Sequence, residues 1–133
     1  MLPHEIESLS FTIIDKEAGD HDFSHQRWTV VRRMIHTSAD FEYLRTVRFS
    51  EGAVSAGVEA IKNGKNIIVD TNMVKAGIRG REVESFGGKV LSYIADQKVA
   101  EEADEKATTK AVAAVDAAVE EMAGGIYVVG NAP

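Results

Sequence analysis

Apolar residues follow two different spacings along this chain. After Pro3, which suits the first turn of a helix, Ile6, Leu9, Ile13 and Ile14 recur at helical spacing. They predict an amphipathic helix that stops at Gly19. The polar segment AGDHDFS reads as a turn. Ser24 or Asp22 then caps a second helix carrying Trp28, Val31, Met34 and Ile35. FEYLRTVRFS fits neither period cleanly. Ser50, with Glu51 in the first turn, predicts a third helix from about Gly52 to Lys62 that ends at Asn63-Gly64.

The period then changes. NIIVD is a short apolar run bounded by turn residues, the pattern of a buried strand. TNMVKAGIRGR is a loop or a short helix. Lys89 to Ile94 (KVLSYI) is a second strand candidate, and DQKVAEEADEK an acidic helical stretch. An alanine-rich helix follows, with Val112, Val115, Val119 and Met122 as its apolar positions, closed by Gly124-Gly125. IYVVG is the third strand. Strands alternating with helices predict an α/β fold with a parallel sheet. In such sheets ligands bind beyond the carboxyl ends of the strands. Those ends are Asp70-Thr71-Asn72, Ala95-Asp96 and Gly130-Asn131. The sequence stops directly after the third predicted strand, so a raw sheet edge is expected, to be covered by a partner or continued in a larger domain.

The length of 133 residues predicts one domain, 1–133. A net charge of −6 without a basic cluster argues against a nucleic-acid binder. With no cysteine there is no disulfide, thiolate metal site or cysteine nucleophile. The N-terminus is too polar for a signal peptide, and no apolar run approaches the roughly 20 residues of a membrane helix. The expectation is a cytoplasmic protein that binds no membrane.

Few residues offer chemistry. GIRGREVESFGG lacks the order of a phosphate loop and reads as turns. His21 and His25 have the spacing to share one helical face, but no third ligand is evident, so no metal site is expected. Asp70 ends a strand, where it serves either as a functional carboxylate or as a cap for the next turn. His36 lies in RRMIHTSAD. It either offsets a helix dipole or acts as a general acid, a role suited to the side chain that titrates nearest neutrality.

VVRRMIHTSAD, together with FSEGAVSAGVEAIKNGKNIIVDTNMVKAGI, resembles the precorrin-8X methylmutases (precorrin isomerases) of cobalamin biosynthesis. The R-M-[IV]-H element of that family is matched by Arg33, Met34, Ile35 and His36. FSEGAVSAGVEAIKNGKNIIVDTNMVKAGI matches the segment that follows it. ESLSFTIIDKEA matches an N-terminal S-F-x-I-I-x-x-E-A element through Ser10, Phe11, Ile13, Ile14, Glu17 and Ala18. VVGNAP matches I-G-N-A-P. There are two departures. Thr109-Lys110-Ala111 stands where the family has T-R-S, and lysine lacks the planar fork of arginine. The family's chains also continue past G-N-A-P, so its C-terminal strands are expected to be missing here.

The resemblance implies a three-layer α/β/α sandwich, flavodoxin-like, in a homodimer. It implies an isomerase that moves a methyl group from C-11 to C-12 of the corrin precursor, giving hydrogenobyrinate or cobyrinate, with no separate cofactor. His36 is then the catalytic acid. Ser10, Arg33, Thr37, Lys110 and Asn131 are the implied substrate-binding residues, and Arg32 and Ser38 are further polar candidates. A corrinoid-binding protein without isomerase activity is the competing expectation.

Overall fold

The computed structural model describes residues 2–131. The chain divides into two compact units, Met1–Val54 and Ser55–Pro133.

The first unit contains three helices. Helix α1 (Pro3–Ala18) has proline in its first turn, and the Glu5 carboxylate reaches back to accept the Leu2 N–H. Helix α2 (His25–Ser38) is capped by Ser24, not Asp22: the Ser24 hydroxyl accepts the Arg27 N–H. The segment of ambiguous period holds a single turn of helix, α3 (Tyr43–Thr46), followed by extended chain. The core of this unit is Ile14, Trp28, Val31 and Ile35, flanked by Phe11, Ala18, Phe23 and Phe49. Burying each large member contributes about 1.5–3 kcal/mol. The expected stripe of α1 divides. Ile14 is buried, whereas Ile6, Leu9 and Ile13 are about half exposed, at 54%, 49% and 47%. Phe11, Ile14 and Ala18 form the face that meets the core, because Phe11 buries more area per residue than the isoleucines around it.

Helix α4 (Ala53–Lys62) leads into the second unit. Then come β1 (Ile67–Val69), α5 (Asn72–Gly77), α6 (Gly80–Ser85), β2 (Val90–Leu91), α7 (Gln97–Glu105), α8 (Lys110–Met122) and β3 (Ile126–Val128). The three strands form one parallel sheet in the order β2-β1-β3. That is the opening of the flavodoxin-like order. With this order, the right-handed rule for parallel crossovers puts α5–α6 and α7–α8 on opposite faces of the sheet, the layers α/β/α. Ile67 and Val69 pack on one face with Val83, Val74 and Ile78.

The second strand is shorter than KVLSYI predicts. Its ladder to β1 covers only Val90 and Leu91, while Tyr93 and Ile94 pack against α7 and α8. The alanine-rich helix also reverses an expectation. Ala113, Ala114 and Ala118 are its buried positions, and Val112, Val115 and Val119 are exposed. Ala113 and Ala114 pack against Val99 and Ala103 of α7, where short side chains let the two helices approach closely.

Candidate active site

His36 lies in the last turn of α2, on the side that meets α1. Its Nδ1 is 2.8 Å from the Ser10 hydroxyl of α1. A serine hydroxyl both donates and accepts, so it partners Nδ1 whether or not that nitrogen carries the proton. Nε2 is the other exchangeable position of the ring. Phe11 meets the imidazole edge-on, with ring centroids 5.1 Å apart. One hydroxyl and one aromatic ring from successive residues of α1 thus fix the imidazole in place and in rotation.

Phe11 also gathers the two arginines. The Arg32 and Arg33 guanidinium carbons lie 4.5 and 4.7 Å from its ring centroid. Adjacent helical residues diverge by about 100°, so the sequence gives the two arginines different directions. The structure brings both heads to one ring, because their long stems bend back to it. Each is also ion-paired to α1. Arg33 pairs with Glu7, and Arg32 with Asp15 at 2.9 Å. Asp15 holds the Trp28 indole N–H at 2.9 Å as well. Arg33 and Glu7 are about half exposed, at 46% and 45%, and a pair so open to solvent exchanges partners at little cost. Arg33 therefore remains able to take a ligand carboxylate.

The two hydroxyls after His36 turn inward on their own helix. Thr37 donates to the Arg33 carbonyl at 2.9 Å and Ser38 to the Met34 carbonyl at 2.8 Å. Their protons are used by the helix, and the Ser38 hydroxyl also accepts the Asp40 N–H at 3.2 Å. Ala39 follows with φ 57°, a left-handed cap that donates to the Ile35 carbonyl.

His21 and His25 do not share a helical face, since His21 precedes α2. Its ring lies on Trp28 with centroids 4.1 Å apart. Among the described residues no group of three or more His, Asp or Glu side chains is placed to hold a metal ion.

The remaining two expected site residues belong to the second unit. Lys110 is the first residue of α8, exposed, after the Thr109 cap. Asn131 follows β3 and lines a cleft of about 250 Å³ with Asp70, Thr71, Ile94, Ala111, Val115, Tyr127 and Val129. This cleft lies at the carboxyl end of the sheet, where an α/β fold binds ligands. Ala132 and Pro133, the end of the G-N-A-P element, lie outside the described residues. Burial raises the Tyr127 phenol above its ordinary value, and the Asp70 charge adds to the rise.

Sequence reasoning placed Ser10 near a substrate and missed its bond to His36. It also missed Glu7, Asp15 and the clamping role of Phe11. The signal available was helical spacing: Glu7, Ser10, Phe11 and Asp15 recur every three or four residues along one side of α1.

The first unit carries a histidine held by serine and phenylalanine, and the second unit a parallel sheet of order 2-1-3, the order of a flavodoxin-like α/β protein. The precorrin-8X methylmutase family matches residues 5–133, and the chain belongs to that family. It is 41% identical over 131 residues to the cobalt-precorrin-8 methylmutase of Priestia megaterium, covering 98% of this chain and 58% of that protein. Against the cobalt-precorrin-8 methylmutase of Salmonella typhimurium the identity is 37%, over 98% of this chain and 65% of the relative. A crystal structure of precorrin-8x methyl mutase from Thermus thermophilus superimposes with a TM-score of 0.86 at 48% identity, over 98% of this chain and 63% of that one. The chain thus spans about three-fifths of the length of these relatives. No described helix is long and apolar enough to cross a membrane.

Proposed function

We propose that this chain acts as a precorrin-8X methylmutase, moving a methyl group from C-11 to C-12 of a corrin precursor. The observation that carries the reading is the Ser10–His36 pair, 2.8 Å apart, within the two sequence elements that match the family. His36 is the acid. Protonating the conjugated macrocycle withdraws electron density from it, which lowers the barrier to migration of an electron-rich methyl group. The proton leaves from Nε2, and Ser10 then accepts from the Nδ1–H that remains. Phe11 keeps the ring from rotating while this happens.

The substrate is a polycarboxylate, and the chain carries a net charge of −6, so attraction has to be local. Arg33 is the proposed first anchor, exchanging Glu7 for a substrate carboxylate. Thr37 is proposed to contact it as well, its hydroxyl turning from the Arg33 carbonyl to donate to a substrate carboxylate. Lys110 and Asn131 are proposed as further contacts, with lysine supplying charge without bidentate grip. Residues 1–133 are read as one functional domain, acting in a homodimer in the cytoplasm.

Incubating the protein anaerobically with cobalt-precorrin-8 and following the absorption spectrum tests this. Conversion to the spectrum of cobyrinate is expected. Tight binding with an unchanging spectrum would instead mark a corrinoid-binding protein without isomerase activity.

A further inference from the structure

Asp70 follows β1 directly. The first turn of α5 is capped by the Thr71 hydroxyl, which accepts the Val74 N–H, and the Asp70 carboxylate is used elsewhere. It reaches 60 residues along the chain to the end of β3. Its two oxygens accept the Gly130 N–H at 2.9 and 3.0 Å, and Oδ2 also accepts the Asn131 N–H at 2.8 Å. Among the described residues no lysine or arginine forms an ion pair with Asp70. Backbone dipoles therefore satisfy this charge, and they fix direction as well as sign.

Two further features bind the same place. A Cβ on Gly130 would run into Val74 Cγ2 of α5, so only glycine lets the turn pass between α5 and the Asp70 carboxylate. The next residue, Asn131, lines the strand-end cleft. Its apolar walls are Ile94, Ala111, Val115 and Val129, with the Tyr127 ring, and Asp70, Thr71 and Asn131 are the polar residues that orient a ligand there.

We propose that Asp70 is a positioning residue whose carboxylate builds the Gly130-Asn131 turn and so sets Asn131 at the mouth of the strand-end cleft, to receive a carboxylate-bearing side chain of the corrinoid. This rests on the methylmutase reading for the identity of the ligand. Asp70 lines the same cleft, and the role assigned to it is to place Asn131 rather than to bind the ligand. With its oxygens occupied by N–H groups, it also repels an anionic ligand less than an open carboxylate would. The Gly130 N–H, then the Asn131 N–H, hold its carboxyl below the usual carboxylate range, against the opposing effect of burial. The titratable group that feels its charge is Tyr127 on β3.

The test uses the full chain, Asp70→Asn, and hydrogenobyrinate as the probe. The substitution preserves size but turns an amide NH₂ toward one of the two backbone donors. In the unsubstituted protein the Gly130 and Asn131 amide resonances are expected to move together on acidification, with a midpoint below that of an ordinary aspartate. In Asp70→Asn they are expected not to titrate, and the dissociation constant for hydrogenobyrinate to rise by about tenfold, while circular dichroism stays unchanged. Equal affinity of the variant and the unsubstituted protein would overturn the positioning role. Amides that titrate at the ordinary aspartate value would overturn the clamp, even if the variant failed to fold. Absence of hydrogenobyrinate binding by the unsubstituted protein would instead overturn the corrinoid reading, and the amide titration would still decide the clamp.

Discussion

A hydroxyl 2.8 Å from an imidazole nitrogen is a small feature, but most of the proposed chemistry depends on it. Ser10→Ala removes the partner of His36 Nδ1 and leaves the ring held by Phe11 alone. Turnover is expected to fall about tenfold with a smaller change in KM, and Ser10→Thr to restore part of it. Steady-state kinetics of the two variants would check this, and an equal loss in both would count against the hydrogen bond. Asp70 sets a different dependence. Its folded-state value lies below the ordinary one, so its contribution to stability is fully present above about pH 4 and is lost as the pH falls through the lowered value. Denaturant unfolding of Asp70→Asn is therefore expected to vary less with pH in the acid range than that of the unsubstituted protein. Motif and residue chemistry singled out His36, Ser10 and Arg33, and the structure gathers all three around Phe11 or its neighbours on α1. Helical spacing puts their partners Phe11, Glu7 and Asp15 on one side of α1, but which group each meets depends on how α1 and α2 are set against each other, and local spacing does not encode that.

Helices and strands were legible to different degrees. The Ser24 cap was legible from the sequence, whereas the caps Asp96 and Thr109, which also accept a backbone N–H at the start of a helix, came from the structure. All three predicted strands exist, since short β-branched runs between turn residues are a strong signal. The faces of the helices were less legible. Hydropathy ranks valine above alanine, yet α8 buries its alanines, because contact with α7 requires short side chains more than large ones. Two element-level outcomes follow from backbone geometry. Ala39 ends α2 at φ 57°, where a Cβ costs about 1–2 kcal/mol. Ala39→Gly should relieve that strain, offset in part by chain entropy, and raise the unfolding free energy by up to about 1 kcal/mol. Gly130→Ala drives a methyl group into Val74 and should cost about 1–3 kcal/mol by thermal unfolding.

For the whole molecule, composition excluded more than it identified. The charge of −6 argued against nucleic acid without suggesting a corrinoid, and family resemblance carried what composition could not. The parallel sheet was legible from alternating periods, and its order, β2-β1-β3, came from the structure. The division at Val54 was not visible, because α4 carries the chain from one unit into the other without a linker. Sedimentation equilibrium is expected to give twice the chain mass of 14.4 kDa, and a single-chain mass would remove the homodimer from the account.

The central claim is that His36 supplies the proton. The most direct measurement is a single-turnover absorption time course with cobalt-precorrin-8, comparing His36→Ala with the unsubstituted protein at saturating enzyme. The account predicts that the variant still binds the corrinoid while the rate of spectral conversion falls by at least about a hundredfold. Conversion by His36→Ala at the unsubstituted rate would contradict it.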